Sequence, residues 1–168
     1  MLNENAAEYL EAIGLLLTEG REDSFTVEEN EHGSVMAAEL PSPFSGEGRS
    51  GCSVQIKEIN EQYLLFVVRL TVLFSLPQEL HNEITALSEA INEQLAAGSI
   101  RLERQSGVMY LTQGIIIDTD TGKDAAAVNI LSTVSVLAST AENCAGFYEE
   151  LIEGTKSAEE IISEIWEV

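Results

Sequence analysis

The chain has 168 residues, of which 45% are hydrophobic, so it is long enough to bury the core of one domain and too short for two ordinary ones. Its 29 acidic residues against 8 basic ones give a formal net charge of −21. Such a surface repels nucleic acid and anionic membranes, so we expect neither as a partner. The same charge favours solubility and a basic protein partner.

The cysteines and the N-terminal residues indicate which cellular compartment to expect for the protein. Cys52 and Cys144 lie far apart and form no paired metal or redox motif. The chain begins without the basic and apolar stretches of a secretory signal. We therefore expect two free thiols in a reducing cytoplasm.

The first residues are predicted to form an amphipathic helix. Its apolar positions recur at helical spacing, and Gly20 is typical of a helix end. These apolar residues are Leu2, Ala6, Tyr9, Leu10, Ile13, Leu16 and Leu17. Two short strands are predicted next, Phe25–Glu29 and Ser34–Leu40, with turn-forming residues between them.

Residues 41–51, with the sequence PSPFSGEGRSG, have the composition of a surface loop. Phe44 stands among polar residues, and two interpretations are open. Its side chain is exposed and binds a partner, or it folds back and packs on its own chain. The segment Gly46–Gly51 has the glycine spacing of a nucleotide-binding loop. Such a loop leads from a strand into a helix, whereas this segment leads into a predicted strand, so a plain loop is favoured.

Two longer strands, Cys52–Ile59 and Gln62–Phe74, are predicted to pair as a hairpin. The longest apolar run, Tyr63–Leu76, contains Arg69 and is shorter than the ~20 residues that a membrane-spanning helix needs. Its apolar residues occupy consecutive positions, which indicates a long strand that could be covered on both faces.

A helix is predicted to begin at Ser75–Gln78, whose serine and glutamine match a capping box, and to end at Gly98. A narrow apolar seam runs along it at intervals of three and four residues. The seam consists of Leu80, Ile84, Leu87, Ile91 and Leu95. Two interpretations are open: the seam packs in the core against the sheet, or it forms the contact of a homodimer.

The C-terminal half is predicted to contain a hairpin and two helices. Strands are expected at Ile100–Arg104 and Val108–Ile117, followed by a long and largely buried helix over roughly Asp124–Glu153. A last helix begins at Ser157, where Glu160 completes a capping box. Its apolar residues, which could dock on the same chain or on another, are Ile161, Ile165 and Trp166.

The sequence contains no pattern typical of an enzyme or of a tight metal site. The turn Asp118–Asp124 begins like a calcium loop, but its twelfth position is Asn129 rather than a bidentate glutamate. A strand-to-helix turn, capped by its own Thr121 or by its last aspartate, is favoured instead. The two histidines, His32 and His81, have no second ligand at zinc spacing. We therefore expect no catalytic residue, no metal and no cofactor.

The order of the predicted elements is a helix, three or four strands, a helix, two strands and a helix, with a terminal helix after them. Adjacent strands between helices favour antiparallel pairing. We therefore expect an α+β fold, a single-domain α-βββ-α-ββ-α sandwich in which helices pack on a mostly antiparallel twisted sheet. Residues 1–153 would form the domain, and residues 154–168 a C-terminal helical extension.

This order resembles the type III secretion chaperone-like fold. Over roughly residues 77–153 the chain also resembles the YbjN-like family of bacterial sensory transduction regulators. The segments that carry this resemblance are Ile91–Leu95, Gly98–Leu102, Gly107–Leu111 and Phe147–Ile152. The resemblance implies a small acidic protein, often dimeric, that binds other proteins without catalysing a reaction.

We therefore expect a non-catalytic protein-binding module, chaperone-like or regulatory, that acts by apolar surface recognition as a homodimer in a bacterial cytoplasm. The residues expected to contact a client or a second chain are Leu80, Ile84, Leu87, Ile91, Leu95, Phe44 and Trp166. The alternative is a small-ligand or metal-binding domain that uses the 46–51 loop or the 118–124 turn.

Overall fold

The fold is described from a computed structural model, which describes residues 2–30, 33–42 and 48–166. Its four α-helices are α1 (Leu2–Leu17), α2 (His81–Gln94), α3 (Lys123–Ile152) and α4 (Ala158–Trp166). Its six strands are β1 (Phe25–Asn30), β2 (Gly33–Pro41), β3 (Arg49–Glu58), β4 (Tyr63–Leu73), β5 (Ser99–Glu103) and β6 (Val108–Asp118).

The six strands form one sheet in the order β1-β2-β3-β4-β6-β5, and every neighbouring pair is antiparallel. The α+β prediction, with helices packed on an antiparallel sheet in a single domain, is confirmed. Four strands precede α2, so the expected order α-βββ-α-ββ-α is one strand short, and of the two expected counts, three and four, the larger is correct. The central pair is β4 with β6, whose register shifts between Thr71 and Leu73.

The core lies between the sheet and the helices. Along β4 the side chains of Leu64, Phe66, Val68 and Leu70 are buried, and the alternate side chains point to the opposite side of the sheet. The helices contact the sheet through residues of the same apolar core to which the buried β4 side chains belong. Within the part of the chain that the structure describes, no helix covers the other face, so the expectation that β4 could be covered on both faces is wrong.

A buried polar contact joins α2 to α3 inside this core. The hydroxyl oxygens of Ser88 and Tyr148 lie 2.8 Å apart. Desolvation by burial raises the pKa of the Tyr148 phenol, and the hydrogen bond to Ser88 opposes this shift. The pair therefore satisfies two polar groups that would otherwise be costly to bury.

The capping box predicted from the sequence is present at the start of α4 and absent at the start of α2. Ser157 and Glu160 form the predicted capping box. The backbone N–H of Ser157 donates to the Glu160 carboxylate at 2.8 Å, and the backbone N–H of Glu160 donates to the Ser157 hydroxyl oxygen at 3.3 Å. Ser75 does not cap α2: it has φ +55, and Pro77 precedes a short 3-10 turn without a side-chain cap. The predicted capping box at Ser75–Gln78 is therefore wrong.

α2 ends at Gln94, four residues before Gly98. Gly98 still has the expected positive φ, +75, and a Cβ added there would lie 2.8 Å from Leu137 of α3. Just before the helix end, the side chain of Asn92 bonds the backbone of Ile100 on the edge strand β5. Its amide donates to the Ile100 carbonyl at 3.0 Å, and the Ile100 N–H donates to its oxygen at 2.7 Å.

Candidate functional site

The apolar seam of α2 lies inside the molecule. Ile84 and Leu87 are fully buried, and Ile91 is 4% exposed. Leu80 and Leu95 are partly buried against the same core. The core interpretation therefore describes the seam, and Ile84, Leu87 and Ile91 are corrected as interface residues because they leave no exposed surface for a second chain.

The other two predicted contact residues have different outcomes. α4 packs against α2, with Ile161 fully buried and Ile165 partly buried, so this helix docks on its own chain. Trp166, at the end of α4, remains 52% exposed. Phe44 lies outside the described residues, as does much of its loop. Among the predicted site residues that the structure describes, Trp166 therefore has the most exposed side chain.

The residues considered for metal binding do not come together. In the 118–124 turn, the Asp118 carboxylate accepts the N–H of Asp120 at 2.9 Å, and Gly122 precedes α3 without a side-chain cap. The predicted Thr121 or Asp124 cap of α3 is therefore wrong. His81 is buried, with Nε2 at 3.1 Å from the Leu76 carbonyl oxygen. Among the described residues, no group of three or more His, Cys, Asp or Glu side chains could hold a metal ion.

The glycine-rich segment continues into a strand, and both cysteines are buried. Residues 49–51 belong to β3, so the segment leads into a strand and offers no helix N-terminus to a phosphate. His32 and residues 43–47 lie outside the described part. Cys52 and Cys144 are buried and unpaired, and burial raises the pKa of both thiols, that of Cys52 to about 12. Such thiols remain protonated and unreactive near neutral pH.

The sheet has an accessible face opposite the helices, which we call the open face. Its members follow from the strand registers, because paired residues point to the same side. Across its centre they are Glu28, Val35, Gln55, Val67 and Gly114 in one row, and Thr26, Ala37, Ser53, Arg69, Thr112 and Ser99 in the next.

An apolar cluster lies on one side of this face. Leu65 and Ile116 are directly paired across β4 and β6, beside Val67. Ile116 is 63% exposed, the highest value among the large apolar side chains in the described part of the chain, and Tyr63 lies nearby at 37%. Gly114 has no side chain of its own, and a Cβ added there would lie 3.3 Å from Leu65. The cluster is therefore shallow and contiguous.

The charges of the open face are balanced. Its basic residues are Arg49, Lys57, Arg69 and Arg101, half of those in the chain. Its acidic residues are Glu28, Glu39, Glu103 and Asp118, a small fraction of the 29. The strand residues of the open face thus sum to no net charge, and Asp23, which precedes β1, adds one carboxylate at the edge of this face.

Two charge contacts order this face. The guanidinium carbon of Arg69 lies 5.3 Å from the centre of the Tyr110 ring, a cation–π contact between neighbouring strands. Arg49 donates to the Glu39 carboxylate at 3.1 Å, although both side chains are about two-thirds exposed. Beside the Arg49–Glu39 contact, the small residues Ala37, Gly51 and Ser53 line a groove of about 510 Å³.

Further exposed apolar side chains lie on the helical side. Leu15 and Leu16 of α1 line a groove with Val128 of α3, which is 55% exposed, and Val136 is 48% exposed two turns further along α3. α3 is the described helix that is long and apolar enough to cross a membrane by length and composition. A buried core helix meets the same criteria, and α3 contributes residues such as Ile130, Leu137 and Tyr148 to the core.

The sequence matches no protein-family model and none of the curated proteins with which it was compared. The function must therefore be argued from the geometry. A signal for the open face was present in β4, where Arg69 stands in the apolar run and marks the alternate positions as the accessible ones. Lys57 in β3, paired with Leu65, marks the same side.

Proposed function

We propose that the protein is a non-catalytic protein-binding module, chaperone-like or regulatory, that acts as a homodimer in a bacterial cytoplasm and recognises its protein partner through the open face. The supporting observation is the apolar cluster around Ile116 on a face without net charge, in a chain with a net charge of −21. The resemblance to the chaperone-like fold and to the YbjN-like family supports the same class of function.

Physical chemistry favours a protein partner for such a face. Burial of an exposed apolar side chain such as Ile116 contributes roughly 1.5–3 kcal/mol. The cluster around Ile116 lies outside the groove beside Gly51 and is shallow, whereas small ligands bind in concave sites, so this cluster suits a protein partner better. Exposed contiguous apolar patches on soluble proteins commonly mark sites of protein contact.

A capture experiment with variants tests this proposal. The tagged protein is immobilised and exposed to bacterial lysate that also contains an untagged copy of the chain, and retained proteins are identified by mass spectrometry. We expect at least one retained protein to be lost with Ile116→Glu and kept with Val136→Glu. The second variant places the same charge on an exposed valine of the helical side and is the matched control.

A direct affinity measurement completes the test. The retained protein is purified, and its dissociation constant is measured by calorimetry against wild type and both variants. The proposal requires that Ile116→Glu weaken binding at least tenfold while Val136→Glu leaves it within twofold. Equal retention by all three proteins, or retention of nothing by wild type, would contradict recognition through the open face.

A further inference from the structure

We infer that the occupant of the open face is a second copy of this chain, packed sheet against sheet about a two-fold axis. This inference rests on the proposed function, since it names the partner of the same face. It differs from the homodimer expected from the sequence, because the seam of α2 is core and cannot supply the contact.

The size of the face agrees with that of a stable dimer contact. Six strands about 4.8 Å apart, the central ones of ten or eleven residues at about 3.3 Å each, span roughly 24 Å by 33 Å. This footprint is on the order of 800 Å². A standard stable interface buries about 800 Å² per partner. The open face therefore offers one full partner surface without any contribution from the helices.

The charge distribution favours the open face, rather than the acidic surfaces, as the contact between two copies. Two copies of a chain with a net charge of −21 repel each other, and the repulsion is strongest where their acidic surfaces approach. Packed sheets lie about 10 Å apart, so two open faces would keep the helical layers on opposite outer sides, about 30 Å from each other. This distance exceeds the Debye length of about 8 Å at physiological ionic strength, which screens the repulsion.

The balanced charges suit an isologous contact, in which the same surface meets itself. Arg69 and Lys57 on one copy can approach carboxylates such as Glu28 and Asp118 on the other, since the face carries equal numbers of both signs. A strongly basic partner would leave its excess charge unmatched on a neutral face. A second copy brings the same balance and the same apolar cluster.

The exposed apolar region of α1 and α3 is less suited to a second copy. The groove between these helices is lined by Glu8, Glu11 and Asp124, with Lys123 paired to Glu8 at 3.2 Å. A symmetric contact there would bring several carboxylates of both copies within a few ångströms of each other. The electrostatic argument therefore favours the open face over the helical side.

Sedimentation velocity over a hundredfold range of protein concentration tests the inference. We expect wild type to have twice the chain mass of 18.3 kDa at the upper concentrations. Ile116→Glu should have the mass of one chain throughout, and Val136→Glu should behave as wild type. Ile116→Ser, a milder change at the same exposed position, should weaken the dimer at least tenfold and guards against misfolding, which circular dichroism monitors.

Three results would overturn the inference. They are a wild-type monomer at every concentration, a dimer that Ile116→Glu does not weaken, and a dimer that Val136→Glu dissociates. The first result, combined with capture of a different protein through Ile116, would leave the proposed protein-binding function standing and remove only the second copy. Monomeric wild type together with no Ile116-dependent capture would remove both.

Discussion

The two faces of the sheet are built from the same strands and have opposite environments. On β4, Phe66 is fully buried against the helices, whereas the adjacent Val67 lies on the open face. Both faces contain apolar side chains, so hydrophobicity alone does not distinguish them. The helices pack on only one of them in the described part of the chain, and this arrangement decides which residues stabilise the fold and which remain available for contact.

The two sides of the molecule also differ in charge. The strand residues of the open face sum to no net charge, whereas the chain as a whole has a net charge of −21. An acidic protein that needed only solubility would gain from acidic side chains on both sides. Four of the eight basic residues instead lie on the open face, as the proposed contact with another surface requires.

The largest expected effect concerns the core beside the buried face. Leu87→Glu places a carboxylate at a fully buried position without a partner, which should cost at least about 5 kcal/mol and unfold the protein. Urea unfolding followed by circular dichroism measures the loss. Ala86→Glu, at the adjacent exposed position of α2, is the control and should remain folded. A folded Leu87→Glu protein would show that α2 can leave the core.

A pair of neighbouring substitutions compares the two faces directly. Phe66→Ala should lower the free energy of unfolding by about 3–5 kcal/mol, because it leaves a cavity in the core. Val67→Ala, on the open face, should cost less than about 1 kcal/mol in a monomeric background. Both values come from urea unfolding of the Ile116→Glu protein, which removes any contribution of dimer formation. Equal costs would contradict an uncovered open face.

A pH experiment compares Cys52 with the adjacent Ser53 on the open face. Burial raises the pKa of the Cys52 thiol from 9.0 to about 12, so above pH 9.0 the unfolded chain releases a proton that the folded chain retains. Stability contributed by this protonated thiol is therefore complete below pH 9.0 and is lost as the pH rises towards 12, at about 1.4 kcal/mol per pH unit.

Cys52→Ala should make the alkaline decrease in unfolding free energy less steep by that amount, and Ser53→Ala should not change it. Chemical denaturation at a series of pH values measures both slopes. Cys144 and Tyr148, whose pKa values are also raised, remain in each variant and act as a common background. An unchanged slope for Cys52→Ala would mean that this thiol is accessible to solvent.

The smallest expected effect concerns the ion pair on the open face. Arg49→Ala removes the contact with Glu39, but both side chains are largely exposed. Exposed pairs contribute little, so the free energy of unfolding should change by no more than about 0.5 kcal/mol. Thermal unfolding of the Ile116→Glu protein with and without Arg49→Ala measures it. A larger loss would mean that the pair supports the groove beside Gly51.

Local sequence patterns were sufficient for the elements of this fold. Strand alternation and helical spacing predict the six described strands and α1, α3 and α4 to within a few residues, and the capping box at Ser157 and Glu160 is present. The start of α2 was predicted incorrectly because Ser75 adopts a left-handed backbone conformation, which its residue type does not reveal. Tertiary contacts at that turn, including the bond from Leu76 N–H to the Gly107 carbonyl, outweigh the local capping preference.

The candidate site could be predicted only in part. The spacing of Ile84, Leu87 and Ile91 is the same for a core helix and for an interface helix, so only the packing of α2 distinguishes the two. Ile116 belongs to an apolar run, Ile115–Ile117, in which one-residue alternation does not indicate the exposed side. Ile116 pairs with Leu65, and no helix covers that face in the described part of the chain. Both features depend on the tertiary structure, so local sequence patterns do not reveal them.

The two hydrogen bonds between Asn92 and Ile100 bear on aggregation at one edge of the sheet. β5 is an edge strand, and an unprotected edge presents free N–H and C=O groups on which the strand of another molecule can add. The Asn92 amide occupies both groups of Ile100, as a single residue of an added strand would. One side chain thus blocks a growth point for aggregation at this edge of the sheet.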